Sequence, residues 1–432
     1  MQFTKFLPIL ALALAFTGGC VSNQPKPKTA TEEGKARWNL ARAGVLYGLA
    51  RDQFETGNLD DCRKTLNNAA KFAPDHVLIR LLSAKLNIEQ GQLEAAEAEL
   101  NHIRELDAKN AEADYLTGVV NQRWQKTEEA YQAYARAAEK NPNELAYLMA
   151  ESEMLVQLDQ NQKALAALKD KLNFFENSAA IRDAVGQLLM QVETPDVHPG
   201  LPRYDEAVLV LRQASSLAPD EMQIREHYGM ALYYSKQYRE AISQIERLLK
   251  EEKYNKRADI HTVLGECLMQ IDQPRDARDH FELASQLDPA PVSAWLNLAK
   301  VALRIDDLKR AELSLRKAMT LSATPPERAD ANLLMGYLSL KQGEDRGQRI
   351  EDRKKYLSDA LASSRKASQL TADANGNVTD TVSLCMTGFV LEKMGRSDEA
   401  IRFYSLALKV KPNDDLATSL LAKVQVGTTT GN

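Results

Sequence analysis

Small and apolar positions return along this chain in a fixed order. Gly118 is followed by Ala130, Tyr134, Ala137 and Pro142, Gly265 by Ala277, Phe281, Ala284 and Pro289, and Gly388 by Ala400, Tyr404, Ala407 and Pro412, with offsets of 12, 16, 19 and 24 in every case. The first position extends to Ala50, Ala84, Gly118, Ser152 and Gly186, each 34 residues after the last, and on to Gly229, Gly265, Ala299, Gly336 and Gly388. The second falls at Cys62, Ala96, Ala130, Ala164, Ala207, Ala241, Ala277, Ala311, Ala360 and Ala400, so the frame holds ten repeats. Val and Ile are sparse beside Ala, Leu, Glu, Lys and Gln, which predicts helices, and the prolines mark where a helix cannot continue.

This frame resembles the tetratricopeptide repeat, a 34-residue helix–turn–helix unit, over roughly residues 43–414. The resemblance implies an all-α, right-handed superhelical solenoid and gives each spacing a physical meaning. The two small residues let the paired helices approach closely, where packing attraction is steep in distance. The aromatic or Leu four positions after the second small residue fills the groove between them. Gly57, Gly91, Gly343 and Gly395 sit where the first helix turns into the second, a place that accepts left-handed backbone. A single repeat leaves an apolar face bare, so neighbours must stack. Residues 33–42 read as an extension of the first helix. Residues 413–425 read as a last, covering helix capped by Asn413 or Asp414, which bounds the solenoid at 33–425 and leaves 426–432 as a disordered tail.

Three departures stand out. Repeat four ends in Phe174, Phe175 and Glu176 without a proline. Repeat five carries an insertion at 193–203 whose prolines and glycine forbid helix. Repeat nine carries one at 344–355, dense in both charges, that reads as a solvated helical extension or as a docking knob.

The amino terminus follows another logic. Lys5 precedes an apolar run, Phe6 to Phe16, too short to span a bilayer, and then come Thr17, Gly18, Gly19 and Cys20. The stretch resembles the signal peptide of bacterial lipoproteins, with Thr17 where a branched aliphatic residue is usual. That resemblance implies removal of residues 1–19, acylation of Cys20 and, since Val21 is not Asp, an outer-membrane address facing the periplasm. Cleavage elsewhere would give a secreted soluble protein. Residues 20–32 are polar, with two prolines, and read as a flexible tether. With Cys20 lipidated, Cys62, Cys267 and Cys385 remain, an odd number that argues against a disulfide framework. They are expected to be buried small residues.

Lys and Arg number 55 against 60 Asp and Glu, a net charge of −5, which gives no basic excess for a nucleic-acid partner. None of the six histidines falls in a zinc-protease pair, and the sequence holds no Cys-x-x-Cys, no phosphate-binding glycine loop and no Gly-x-Ser-x-Gly elbow. No cofactor, no metal and no catalytic residue is expected. Binding of proteins or peptides in the groove remains. In the resembling family the first helix of each repeat lines the inner wall. Carried over, this places Tyr47 and Arg51 there in repeat one, Tyr115 and Arg123 in repeat three, and His227, Met230, Tyr233 and Tyr234 in repeat six. Asn297, Lys300 and Arg304 follow in repeat eight, and Tyr337 with Lys341 in repeat nine. Tyr and Arg are enriched in binding hot spots, although each residue could instead serve packing between repeats. The expected function is a lipid-anchored envelope assembly scaffold, of the pilus, secretion, outer-membrane biogenesis or polysaccharide-export class. The alternative is a periplasmic carrier of extended chains.

Overall fold

The computed structural model describes residues 30–192, 203–287, 292–322, 324–344, 349–373 and 376–429. The expected leader, Cys20 and nearly all of the tether and of the insertion at 193–203 lie outside the described residues. The chain divides into two compact units, Met1–Met154 and Leu155–Asn432.

The first unit holds α1 (Ala30–Glu55), α2 (Leu59–Phe72), α3 (Val77–Glu89), α4 (Leu93–Leu106), α5 (Ala111–Arg123), α6 (Thr127–Lys140) and α7 (Leu145–Gln157), the last running past its boundary. The helices pack as antiparallel pairs, α1 with α2, α3 with α4 and α5 with α6, and each pair stacks on the next. The second unit holds α8 (Asn161–Lys171), α9 (Ala179–Gln191), α10 (Tyr204–Leu217), α11 (Met222–Tyr234), α12 (Tyr238–Leu248) and the single turn α13 (Glu252–Asn255). It continues through α14 (Ala258–Gln270), α15 (Pro274–Gln286), α16 (Val292–Arg304), α17 (Leu308–Leu321), α18 (Pro325–Gly343), α19 (Ile350–Leu370), α20 (Thr381–Lys393), α21 (Ser397–Val410) and α22 (Asp415–Thr429). Pairing repeats there from α9 with α10 through α20 with α21, around the α13 turn, and α22 closes on α21. Among the described residues the architecture is all-helical, and none of these helices is long and apolar enough to cross a membrane.

The frame read from the sequence is the frame of the packing. A Cβ on Gly118 would stand 2.4 Å from the Tyr134 ring, one on Gly265 2.6 Å from Phe281 and one on Gly388 2.6 Å from Tyr404. The ring sixteen residues on lies flat over the glycine, and all three rings are buried. Cys62, Cys267 and Cys385 are buried and free, and burial pushes the Cys267 thiol up to about 12 and Cys385 to about 11.

The turn between paired helices is left-handed at Gly57, Gly91 and Gly395, with φ of 75°, 72° and 77°. The same frame position is left-handed without glycine at Gln125, Asp159, Lys236, Asp272 and Asp306, with φ between 57° and 63°. Each of these five holds a conformation that costs a side chain about 1–2 kcal/mol. Gly343 departs from expectation. It is the last helical residue of α18, because that helix runs past the usual turn and forms a long hairpin with α19. Residues 350–355, from the charged insertion, are the exposed first turns of α19. The chain end also differs from expectation, since α22 continues to Thr429 where a disordered tail from 426 was expected. Asp414 starts that helix. Its carboxylate accepts the Ala417 amide at 3.0 Å and the Thr381 hydroxyl at 2.9 Å, and these two bonds, the amide first, hold it below the usual carboxylate range.

Candidate functional site

Helices α11, α14 and α16 are the first helices of repeats six, seven and eight. They enclose a cleft of about 410 Å³. Tyr233 and Tyr234 form one wall, Asn297 and Lys300 the other, and Glu266 lies between, with Lys236, Tyr238 and Gln270 at the mouth. The Glu266 carboxylate is fixed from both sides. The Tyr233 hydroxyl donates to Oε2, and Asn297 Nδ2 donates to Oε1 at 2.7 Å. Burial, and then this contact with Glu266, push the Tyr233 phenol well above its usual range, so it stays a donor. Asn297 is itself buried and Tyr233 half-buried, so the three groups form a fixed polar floor across three helices. Tyr234 is half-exposed and stacks on Tyr204 of α10, with ring centroids 5.0 Å apart and planes at 18°. The stacked ring lines the cleft and stays accessible.

Two cations complete the site. Lys236 sits in the left-handed turn after α11, and Lys300 stands one turn along α16 from Asn297, its Nζ 3.4 Å from Asn297 Oδ1. Both are exposed, and among the described residues no salt bridge joins either to a carboxylate. Two ammonium heads beside an aromatic wall, over a floor on which each Glu266 oxygen already accepts one hydrogen bond, offer charge to an entering carboxylate flanked by apolar or aromatic atoms.

Of the residues singled out in the sequence, Tyr233, Tyr234, Asn297 and Lys300 meet in this cleft. His227 sits beneath the same wall, its Nδ1 2.8 Å from Asp183 of α9, and Met230 is half-buried. Of the cations placed on the inner wall, fewer are available than their residue types suggest. Arg304 contacts Asp272 at 2.7 Å and the Met269 carbonyl at 3.4 Å, and Lys341 pairs with Asp306. Arg123 holds the Ile88 carbonyl and approaches Glu89 at 3.8 Å. All three stand five residues beyond the small residue of the first helix. From there they reach back to the carboxyl end of the preceding repeat's first helix, where a cation complements the helix dipole. They are staples between repeats. In the first unit Tyr115 stacks on Tyr147 at 4.9 Å, Tyr47 lies 6.4 Å from His76, and Arg51 pairs with Asp52 and Glu55 on its own helix. Glu266, Lys236 and Tyr238 were not picked out in the sequence. Glu266 directly follows Gly265, as Lys300 directly follows Ala299, so the frame marks it once acidic residues are considered.

Tyr337 belongs to a second, apolar groove of about 370 Å³ on α18, α20 and α22. Leu333, Leu334, Val382, Cys385, Met386, Phe389, Leu416 and Leu420 complete it.

The tetratricopeptide repeat matches residues 47–111, 229–289 and 264–326, and a second description of the same repeat matches 382–414. These matches, with the paired helices, show tetratricopeptide repeats at those residues. No family of enzymes is among them, and no curated protein matches the chain. Similar solved structures include YrrB, described as a TPR protein with an unusual peptide-binding site (16% identity, 45% of this chain and 95% of that one, TM-score 0.39). A tetratricopeptide repeat protein from Parabacteroides merdae is 17% identical over 61% of this chain and 99% of that one, with a TM-score of 0.40. The human IFIT1 dimer with PPP-AAAA is 15% identical over 89% and 95%, with a TM-score of 0.35.

Proposed function

We propose that this chain is a non-catalytic scaffold that captures an acidic segment of a partner protein in the cleft between α11, α14 and α16, and that it does so at a bacterial cell envelope, tethered through acyl chains on Cys20. The capture reading rests on the cleft, where Lys236 and Lys300 lack carboxylate partners beside a half-exposed tyrosine over a rigid polar floor. Partners identified by pull-down from envelope extract supply the material for the test. Against a purified partner, Tyr234→Ala is expected to raise the dissociation rate at any salt, with a loss of about 1–2 kcal/mol. Lys236→Glu with Lys300→Glu is expected to slow association, an effect that shrinks as salt screens the charges. Folded variants with parental kinetics would place binding elsewhere.

The tether rests on the sequence alone, on the apolar run from Phe6 to Phe16 and the Thr-Gly-Gly-Cys that follows. Two or three acyl chains on one cysteine anchor a protein durably where a single chain does not. The parent is expected to incorporate a fatty-acid analogue and to fractionate with membranes. Cys20→Ala is expected to lose both, and membrane fractionation that survives the substitution removes the anchor from the proposal.

A further inference from the structure

Helix α1 has no single apolar face: between Trp38 and Phe54 its apolar residues are spread around the helix among Asn39, Arg42, Arg51 and Asp52. One side packs into the first core through Ala43, Ala50 and Phe54. Another carries Trp38, Val45 and Leu49, which are 69%, 74% and 50% exposed. Their spacing of seven and four residues brings all three within about 40° of one another around the helix. Large apolar side chains left bare together on one side of a helix mark an interaction surface. A second uncovered apolar surface is the groove on α18, α20 and α22, whose rim residues Tyr337, Val382 and Leu416 are 43%, 49% and 51% exposed.

We propose that the Trp38–Val45–Leu49 stripe of one copy seats in the α18–α20–α22 groove of a second copy, joining chains head to tail. The shapes fit, a helical ridge with anchors on one face against a concave apolar trough, which is how an amphipathic helix is held in a groove. The charges fit as well. Lys35, Arg37 and Arg42 surround Trp38, and Asp330, Asp380 and Asp415 stand at the amino ends of the three groove helices. At the far end of α1 lie Asp52 and Glu55, and at the carboxyl ends of α18 and α20 lie Lys341 and Lys393. Arg37 to Asp52 spans about 22 Å of helix and Asp380 to Lys393 about 20 Å, at 1.5 Å per residue. With α1 parallel to α20 the two sign changes therefore coincide. Several of these charges already have local partners: Arg51 holds Asp52 and Glu55, Asp306 holds Lys341, and Glu344 holds Lys393. The charges thus set direction, and apolar burial supplies affinity. Such a contact uses different surfaces on its two sides and so joins more than two copies, into a closed ring or an open chain.

The test is sedimentation of the full-length chain over a concentration series. The parent is expected to grow in mass with concentration. Trp38→Glu with Val45→Glu, and separately Val382→Glu with Leu416→Glu, are expected to stay monomeric with parental helical signal and melting, since all four side chains are exposed. Mixing the two variants pairs the intact groove of the first with the intact stripe of the second, and should give a one-to-one dimer that grows no further. As a check that removes no apolar contact, Lys35→Glu with Arg37→Glu should weaken assembly about tenfold, and Asp330→Lys with Asp415→Lys in the facing copy should restore it. A parent that is monomeric to roughly 100 μM overturns the proposal, as does assembly unaffected by either pair of glutamates or a mixture that gives no dimer. Binding of the monomeric parent to vesicles of phosphatidylethanolamine and phosphatidylglycerol, lost in the Trp38→Glu, Val45→Glu variant, assigns the stripe to a lipid surface instead.

Discussion

Gly118→Ala is expected to destabilise the protein by about 1–3 kcal/mol, against the sign of helix propensity, which favours alanine in α5 by about 1 kcal/mol. The new Cβ would stand 2.4 Å from Cε1 of Tyr134. That ring cannot swing aside, because it is buried and its hydroxyl donates to Gln122 Oε1 at 2.7 Å, one turn along the same α5. Gly265→Ala against Phe281 and Gly388→Ala against Tyr404 should behave alike. Gly229→Ala is the control. Its nearest neighbour, Cγ1 of Ile245, is 3.4 Å away, an ordinary contact, so propensity should win there and the substitution should stabilise by up to about 1 kcal/mol. Chemical denaturation of the four variants separates steric from propensity effects. Gly118→Ala with Tyr134→Leu should lose less than the two single losses added, since a smaller side chain leaves room for the methyl. Equal midpoints for Gly118→Ala and Gly229→Ala would mean that the ring does not require the glycine.

That contact also explains why the fold could be read from the chain. It joins two points on paired helices across a turn of constant length, so it appears in the sequence as a fixed offset. Where an insertion falls between them, the offset grows by the length of the insertion. Gly186 meets Leu211, and Gly336 meets Ser364 and Ala360. What could not be read depends on neighbouring repeats. The partners of Arg304 and Lys341 lie 32 and 35 residues earlier, so an inner-wall position taken one repeat at a time shows an available cation where the structure has a staple. The left-handed turns at Gln125, Lys236 and Asp306 carry no glycine to announce them, because the two helices fix the turn whatever residue occupies it. Cys62, Cys267 and Cys385 were legible as core, since each lies on a helix face toward its partner. The groove on α22 was hidden for a different reason. Residues 413–425 read as a cover for the solenoid's end, whereas in the folded chain Leu416 and Leu420 of that helix form one side of an open trough.

The largest loss is expected in repeat three, from removing two surface cations. Asp114 of α5 is 1% exposed, and its carboxylate accepts Arg136 Nε at 3.3 Å and the Lys140 ammonium, both from α6. Lys140 Nζ also donates to the Ala108 carbonyl at 2.7 Å, so one ammonium ties the helix pair to the turn that precedes it. The arrangement is asymmetric. The carboxylate has almost no access to water, whereas Lys140 and Arg136 are 25% and 44% exposed in their side chains. Arg136→Met with Lys140→Met therefore strands a buried carboxylate, at a cost of about 3–5 kcal/mol. Asp114→Ala removes the buried charge and frees two cations that reach solvent, and should cost about 1.5–3 kcal/mol, the worth of hydrogen bonds to a charged group. The triple variant, with no charge left to strand, should be more stable than the double variant even though it carries one more substitution. That inversion is the diagnostic result, since independent contributions can only add. Urea denaturation of the three variants and the parent reads it directly. A triple variant less stable than the double would mean that the cations contribute chiefly through their aliphatic stems packed across α5 and α6, and that the charge on Asp114 is held by its own helix.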